Sequence, residues 1–598
     1  MAPPAEEDPP AAGAPPAEEA TAARLLVEAL REAGVRYAFA NLGSDHPALI
    51  EALAEDRERG EDAPRVVLCP HEATALGAAH GYSAATGEPT AVLVHTDVGT
   101  ANLGGMVHNA HRSRVPVLVF AGLTPYTLEG ELPGSRTTHV NHLQDVPDQH
   151  ALVRQYVKWS YDLRTARNVP QVVRRGLQLA LSAPRGPVYL TAAREVLAET
   201  APRPDTTAHG DWPPLAPCPA PPGTVEALAE AVDAARSAVV VTSYAGRDRD
   251  AVGALAEAAE RLGLAVVEPY AEHVSLPADH PLHAGDDPRP LVAEADVIIA
   301  LQTDAPWLHT AVSPRPGATV AVVNEDPLQE SIPLWYYPAT HVVRADAATF
   351  LRQLLAAAAA LHSGRGPDPD RRAERVEAAE RLHGQTREEW RRQLREDRSG
   401  ERLTAATVAG ALAELLPPEA VVINEAITEA PAVWRHLPRT RAGTLFGNRG
   451  TSLGWFGGGA LGVRLAAGDR PVVAVVGDGT YLLGEPASAA WVAGRYGLPT
   501  LTVVLDNGGW RATQRNLVRQ HPGGVADATD RAFVNLGQTA DLPGIASAAG
   551  GAWGATVARH ADLEPALRRG LEAVAGGRAA VVAVRLPPIS RQAPDALR

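Results

Sequence analysis

The chain has 598 residues, more than one hydrophobic core sustains, so several domains are expected. Its hydrophobic content of 45% is that of a globular protein, and no apolar run approaches the roughly 18 residues that span a bilayer. A formal charge of −15 argues against nucleic acid, whose binding needs clustered basic residues, and two cysteines, Cys69 and Cys218, cannot build a disulfide framework, which points to a reducing cytoplasm.

Residues 1–21, acidic and rich in Pro and Ala, read as a disordered tail without the basic and apolar parts of a signal peptide. A first α/β block follows over 22–197, with strands expected at 37–40, 66–68, 91–95, 117–121 and 188–190 and helices at 22–33 and 72–86. A Pro-rich linker over 198–222 leads to a second block over 223–362, with strands at 238–242, 265–268, 297–301 and 319–323. A Gly/Pro/Asp break and a helix of alternating Arg and Glu fill 363–402, and a third block spans 403–590. Strand–helix alternation in all three blocks predicts an α/β protein of three doubly wound parallel-sheet domains.

The third block carries the strongest chemical signal. An apolar strand over 472–476 runs into Gly477-Asp478-Gly479, and a second over 501–505 ends at Asp506-Asn507-Gly508-Gly509. Both loops fall at the carboxyl edge of a parallel sheet, the usual ligand edge. Asp478 and Asn507 offer two hard oxygens and a carbonyl near Gly509 a third, a set that suits Mg²⁺ with phosphate oxygens in its remaining positions. Gly477 and Gly479 let the backbone approach a diphosphate closely. A chance acidic residue in an ordinary turn is the plainer alternative; the flanking strands and the paired Asn outweigh it. In the first block, Cys69-Pro70-His71-Glu72 places Glu72 at a helix start directly after a buried strand, where burial favours a proton-sharing hydrogen bond over a free charge. Complementing the helix dipole is its plainer role.

These motifs resemble the thiamine diphosphate signature, GDG followed further on by NN, here with Asp506 for the first Asn and a slightly longer spacer. Apart from its two ends, the chain resembles the acetolactate synthase/benzoylformate decarboxylase superfamily, which implies that blocks one, two and three are pyrimidine-binding, central and diphosphate-binding domains. The run NRGTSLGWFGGGALG is similar to that family's GGLGTMGFGLPAAIG and sets Leu453 at the large apolar residue that props the cofactor in its bent form. His142-Leu143-Gln144-Asp145 and Tyr156-Val157-Lys158-Trp159 resemble the QE…TKW portion of acetolactate synthases. The resemblance implies that Glu72 protonates the aminopyrimidine ring of the cofactor. It also implies a homo-oligomer, dimer or tetramer, with active sites where the first domain of one subunit meets the third domain of another.

Within the superfamily, Phe39 to Ser44 (FANLGS) resembles the FGNPGS turn of benzoylformate decarboxylase, implying that Ser44 contacts a substrate carboxylate. His95 to Asn102 resembles its LHSAAGTGN stretch, implying that His95 relays protons, a task suited to a strand-end imidazole. His309 falls, across a gap, near a second catalytic His supplied by the middle domain. Leu42 replaces the usual Pro, and Asp45-His46 is an unusual polar pair beside Ser44. The glycine-bearing insert associated with flavin in acetolactate synthases is missing from 277–304, and no GxGxxG turn follows a strand of the second block, so FAD is not expected. His108, His111, His139 and His142 lack metal-ligand spacing with Cys.

The sequence thus reads as a thiamine diphosphate- and Mg²⁺-dependent enzyme decarboxylating a 2-oxo acid and releasing an aldehyde, or joining the acyl unit to a second carbonyl compound. An acetolactate synthase-type carboligase is the alternative. A 2-hydroxyacyl-CoA lyase finds no basic cluster near the C-terminus to support it. A non-catalytic cofactor-binding homologue is opposed by the joint retention of Glu72, Asp478 and Asn507.

Overall fold

The computed structural model describes residues 18–61, 64–203, 212–361, 369–530 and 533–590. Residues 1–17 of the expected tail, 204–211 of the linker and 362–368 of the second break lie outside the described residues.

The first domain contains β1 (Glu19–Thr21), β2 (Tyr37–Asn41), β3 (Arg65–Leu68), β4 (Thr90–Val94), β5 (Val117–Leu123), β6 (Trp159–Leu163), β7 (Val188–Ala193) and β8 (Thr200–Pro202). The central domain contains β9 (Ala238–Val241), β10 (Ala265–Val267), β11 (Val297–Leu301), β12 (Thr319–Asn324) and β13 (His341–Arg344). The third contains β14 (Val421–Glu425), β15 (Leu445–Gly447), β16 (Val472–Gly477), β17 (Leu501–Asp506), β18 (Trp553–Val557) and β19 (Ala580–Arg585). The inner strands are rich in Val, Ile, Leu and Ala and buried on both faces, as parallel sheets covered by helices require. Full burial of each such Val or Leu contributes about 1.5–3 kcal/mol.

The sheet orders are β3-β2-β4-β5-β7-β6, β10-β9-β11-β12-β13 and β15-β14-β16-β17-β19-β18, and within each sheet every pairing is parallel. Counted from β2 and from β14, the first and third sheets share one order, 2-1-3-4-6-5. The order reverses between β2 and β4 and between β14 and β16, so each domain has a switch-point crevice at the carboxyl ends of those strands. Helices Glu72–Thr86 and Trp455–Ala466, which follow the second strand of each sheet, pack against each other. Their backbones come so close that a β-carbon on Gly462 would lie 1.9 Å from the Ala78 carbonyl oxygen. One apolar core therefore joins the first and third domains.

Two expectations need correction. Residues 19–21, assigned to the tail, form β1, which pairs antiparallel with β8 at the head of the expected linker. Gly477-Asp478-Gly479 is not a loop: β16 runs through Gly477 and Asp478 opens helix Asp478–Leu483, where helix-end N–H groups favour a carboxylate. Helix Pro369–Ser399 is solvated as its charges predict, with only Arg375 and Ala379 buried. No helix among the described residues is long and apolar enough to cross a membrane.

Candidate active site

At the switch point of the third domain, Asp478 directly follows β16 and is 4% exposed. Burial, and then the neighbouring Asp506, push its carboxyl up to about 6. Asp506, at the end of β17, is itself raised by burial and accepts from the Gly508 N–H at 3.1 Å. Asn507 is 5% exposed, and its Oδ1 is buried without a hydrogen-bond partner among the described residues. Two buried carboxylates beside an unpaired amide oxygen form a site short of positive charge, which fits a hard divalent cation. The Gly509 carbonyl accepts from Arg511 N–H at 3.1 Å and keeps a second lone pair; the Gly509 N–H hydrogen-bonds to the Asp478 carboxylate. The ring of Trp510 lies over Gly479, whose missing β-carbon would lie 2.3 Å from it.

Leu453 is half-buried just before Gly454, which has φ of 94° and opens helix Trp455–Ala466. The preceding turn is fixed by Glu425, a residue the sequence reading missed. From the end of β14 its Oε1 accepts from the N–H groups of Gly454 (3.1 Å) and Trp455 (3.3 Å), and its Oε2 from Phe456 (2.8 Å). Asn448 Nδ2 adds a bond at 2.7 Å. Burial pushes the Glu425 carboxyl up to about 7 even against these four donors. An acid closing the apolar run Val421–Ile423 at a sheet's carboxyl edge was the available signal.

In the first domain, Glu72 begins helix Glu72–Thr86 and is 6% exposed. Asn102 Nδ2 donates to its Oε2 at 3.1 Å. Asn102 closes helix Thr96–Asn102, whose N-cap is His95, so one short helix links Glu72 to His95. His95 Nδ1 hydrogen-bonds with Asp45 Oδ1 at 2.6 Å and Nε2 with Gln144 Oε1 at 2.9 Å. The hydrogen bond to Asp45 is the largest cause holding the His95 pKa above the ordinary imidazole value. Burial works to raise the Asp45 carboxyl, but hydrogen bonds and charges from His46 and His95 outweigh it and hold it well below the carboxylate range. Both ring nitrogens of His95 thus have a polar partner, a buried carboxylate on Nδ1 and the Gln144 side chain on Nε2.

Ser44 is exposed on the turn after β2, the strand paired with β4, so Ser44, His95 and Glu72 share one sheet edge. His309 is exposed on the central domain with its ring centroid 4.5 Å from that of Tyr337, and among the described residues nothing joins it to His95. His108 bonds to the Gly450 carbonyl at 2.9 Å, and burial pushes His111 down to about 4. No group of three or more metal-ligating His, Cys, Asp or Glu occurs among the described residues. Nor, among them, does Glu72 touch Asp478 or Asn507: each half-site is built within its own domain.

Residues 20–152 match the N-terminal TPP binding domain of thiamine pyrophosphate enzymes, 225–354 the central domain and 427–584 the C-terminal TPP binding domain. The chain belongs to this family of thiamine diphosphate-dependent enzymes. It is 26% identical over 495 residues to benzoylformate decarboxylase of Pseudomonas aeruginosa, covering 81% of this chain and 85% of that protein. It is 26% identical over 521 residues to the acetolactate synthase isozyme 3 large subunit of Escherichia coli, covering 82% and 83%. The fold matches a thiamine diphosphate-dependent 4-hydroxybenzoylformate decarboxylase of Rhodococcus jostii with a TM-score of 0.75, 22% identity and coverage of 95% and 99%, a likeness of fold alone.

Proposed function

We propose that this enzyme decarboxylates a 2-oxo acid to an aldehyde with thiamine diphosphate and Mg²⁺. The observation that carries the reading is His95, hydrogen-bonded to the buried Asp45 carboxylate at the switch point of the first domain and joined by one helix to Glu72. Bound thiamine diphosphate supplies the electron sink for the pair left by departing CO₂. Asp478, Asn507 and the Gly509 carbonyl would hold Mg²⁺ and, through it, the diphosphate; Leu453, fixed by the turn that Glu425 caps, would prop the cofactor. Glu72 would hold a proton at its buried carboxyl against the pyrimidine ring. Ser44 would orient the substrate carboxylate. His95 would give a proton from Nε2 to the carbon that has lost CO₂ and take one back from the product hydroxyl.

As in the family it belongs to, the reading places the complete site between two subunits of a homo-oligomer, with Glu72 of one facing Asp478 and Asn507 of the other. His309, exposed on the central domain, would join the site from that domain as a second proton-handling group. The equal identity to the acetolactate synthase subunit supports a second reading, transfer of the acyl unit to another carbonyl compound. Cys69 and Cys218 are free thiols, which supports a cytoplasmic setting. The test is a screen of purified protein with thiamine diphosphate and Mg²⁺ against pyruvate, 2-oxoisovalerate and benzoylformate, scoring CO₂, aldehyde and acyloin. Aldehyde as the main product supports the first reading and acyloin the second.

A further inference from the structure

We propose that Asp45 is the positioning residue of the His95 relay, a buried carboxylate that fixes the ring's orientation and keeps Nδ1 protonated so that Nε2 faces the substrate as the acid. The proposal rests on the assignment of His95 above and adds a residue to it.

Asp45 is 3% exposed and divides its oxygens between two tasks. Oδ2 accepts from the Thr96 N–H at 3.1 Å and so caps helix Thr96–Asn102. Oδ1 is not needed for that cap and takes the His95 Nδ1 proton at 2.6 Å. The pair is clamped by two glycine backbones. A β-carbon on Gly43 would lie 2.2 Å from His95 Nδ1, and one on Gly122 of β5 would lie 1.8 Å from Asp45 Oδ2. A side chain at either glycine would displace the pair. On the far side of the ring, the Gln144 amide oxygen occupies the acceptor position that a substrate atom would take from Nε2.

The charged and titratable groups around the pair are few. The turn after β2 contributes Asp45 and the fully buried His46, whose Nδ1 lies 2.9 Å from Asp45 Oδ1. The ring's own helix contributes Asp97. The segment after β5 presents neutral Gln144, with Asp145 behind it paired to Arg136. Beside Ser44, Arg194 is engaged by the carbonyls of Gly134 and Ser135. Asp45 is thus the one carboxylate bonded to the ring, as in other His–carboxylate pairs where the acid selects the tautomer and steadies the imidazolium.

The test uses the full-length protein with thiamine diphosphate and Mg²⁺ and the 2-oxo acid of the panel above that it turns over fastest. Asp45→Asn keeps an oxygen for the Thr96 N–H but turns an NH₂ toward His95. It is expected to lower kcat by about tenfold or more at unchanged cofactor affinity, and to move the alkaline limb of the kcat profile down by about one pH unit. The double variant with His95→Ala should be no slower than His95→Ala alone, because the carboxylate acts only through the ring. If His95→Ala is impaired while Asp45→Asn stays within about threefold of wild type with its limb unmoved, Asp45 is only a helix cap and the proposal is overturned. If His95→Ala keeps wild-type turnover, the assignment of His95 fails and takes the proposal with it. ¹⁵N NMR of the wild-type imidazole depends on no variant folding: both His95 nitrogens should be protonated at neutral pH, and a ring with bare Nδ1 overturns the proposal.

Discussion

Asn102 donates its side-chain amide to Glu72 at 3.1 Å from the end of the same helix that His95 begins, so two candidate proton-handling groups share one rigid spacer of seven residues. Glu72→Gln keeps the shape and a hydrogen bond but loses the acid. The cofactor is expected to bind still, while C2–H/D exchange followed by NMR slows by about 10²–10⁴-fold. Exchange at the wild-type rate would reduce Glu72 to a helix-start residue.

Asn507 Oδ1 is buried without a hydrogen-bond partner among the described residues, beside the buried Asp478 carboxyl, a pair that fits a hard cation. Removing either by Ala substitution is expected to weaken thiamine diphosphate binding in the presence of Mg²⁺ by at least about tenfold, or 1.4 kcal/mol. Chelation of the metal from wild type should do the same. Calorimetric titration reads both, and unchanged affinity in the two variants would refute the assignment.

The Asp45–His95 pair makes stability depend on pH. His95 is raised above its ordinary 6.5, so its contribution is complete below pH 6.5 and is lost as pH rises through the folded value. Asp45 is lowered from 3.8, so its contribution is complete above that value and is lost on acidification. The stability lost in His95→Gln is therefore expected to be largest between these limits and to shrink above pH 6.5, as thermal melts at a series of pH values would show. A difference that grows with alkalinity would contradict an imidazolium at His95.

Glu425 satisfies three backbone N–H groups at the start of helix Trp455–Ala466. Its replacement by Ala leaves those donors buried and unpaired, and a loss of at least about 2 kcal/mol is expected in chemical denaturation. The turn carrying Leu453 loses its anchor, so cofactor affinity should fall as well, which a merely structural acid elsewhere would not cause.

What the sequence made legible follows from physical range. Glu72, Asp478 and Asn507 could be placed because apolar runs mark the strands that precede them, and a strand's carboxyl end is a local property. The same runs announced three parallel-sheet domains. β6, with the sequence WSYDL, lacks such a run and was missed. The shared 2-1-3-4-6-5 order needs pairings between strands far apart in the chain, which no local pattern states. Asp45 and His95 stand 50 residues apart, so Asp45 was visible only as an odd polar residue beside Ser44. Glu425 escaped for the same reason: its partners begin 23 residues later. That Asp478 opens a helix instead of lying in a loop was hidden because a glycine on either side mimics a turn.

The most direct test of the account is product analysis of a purified wild-type and His95→Ala pair, each loaded with thiamine diphosphate and Mg²⁺ and supplied with the 2-oxo acid panel. The account predicts CO₂ and aldehyde in equal amounts from at least one 2-oxo acid, with aldehyde formation lowered by about 10²–10⁴-fold in His95→Ala at unchanged cofactor affinity. Acyloin as the main product, or aldehyde formation at the same rate in both proteins, would contradict it.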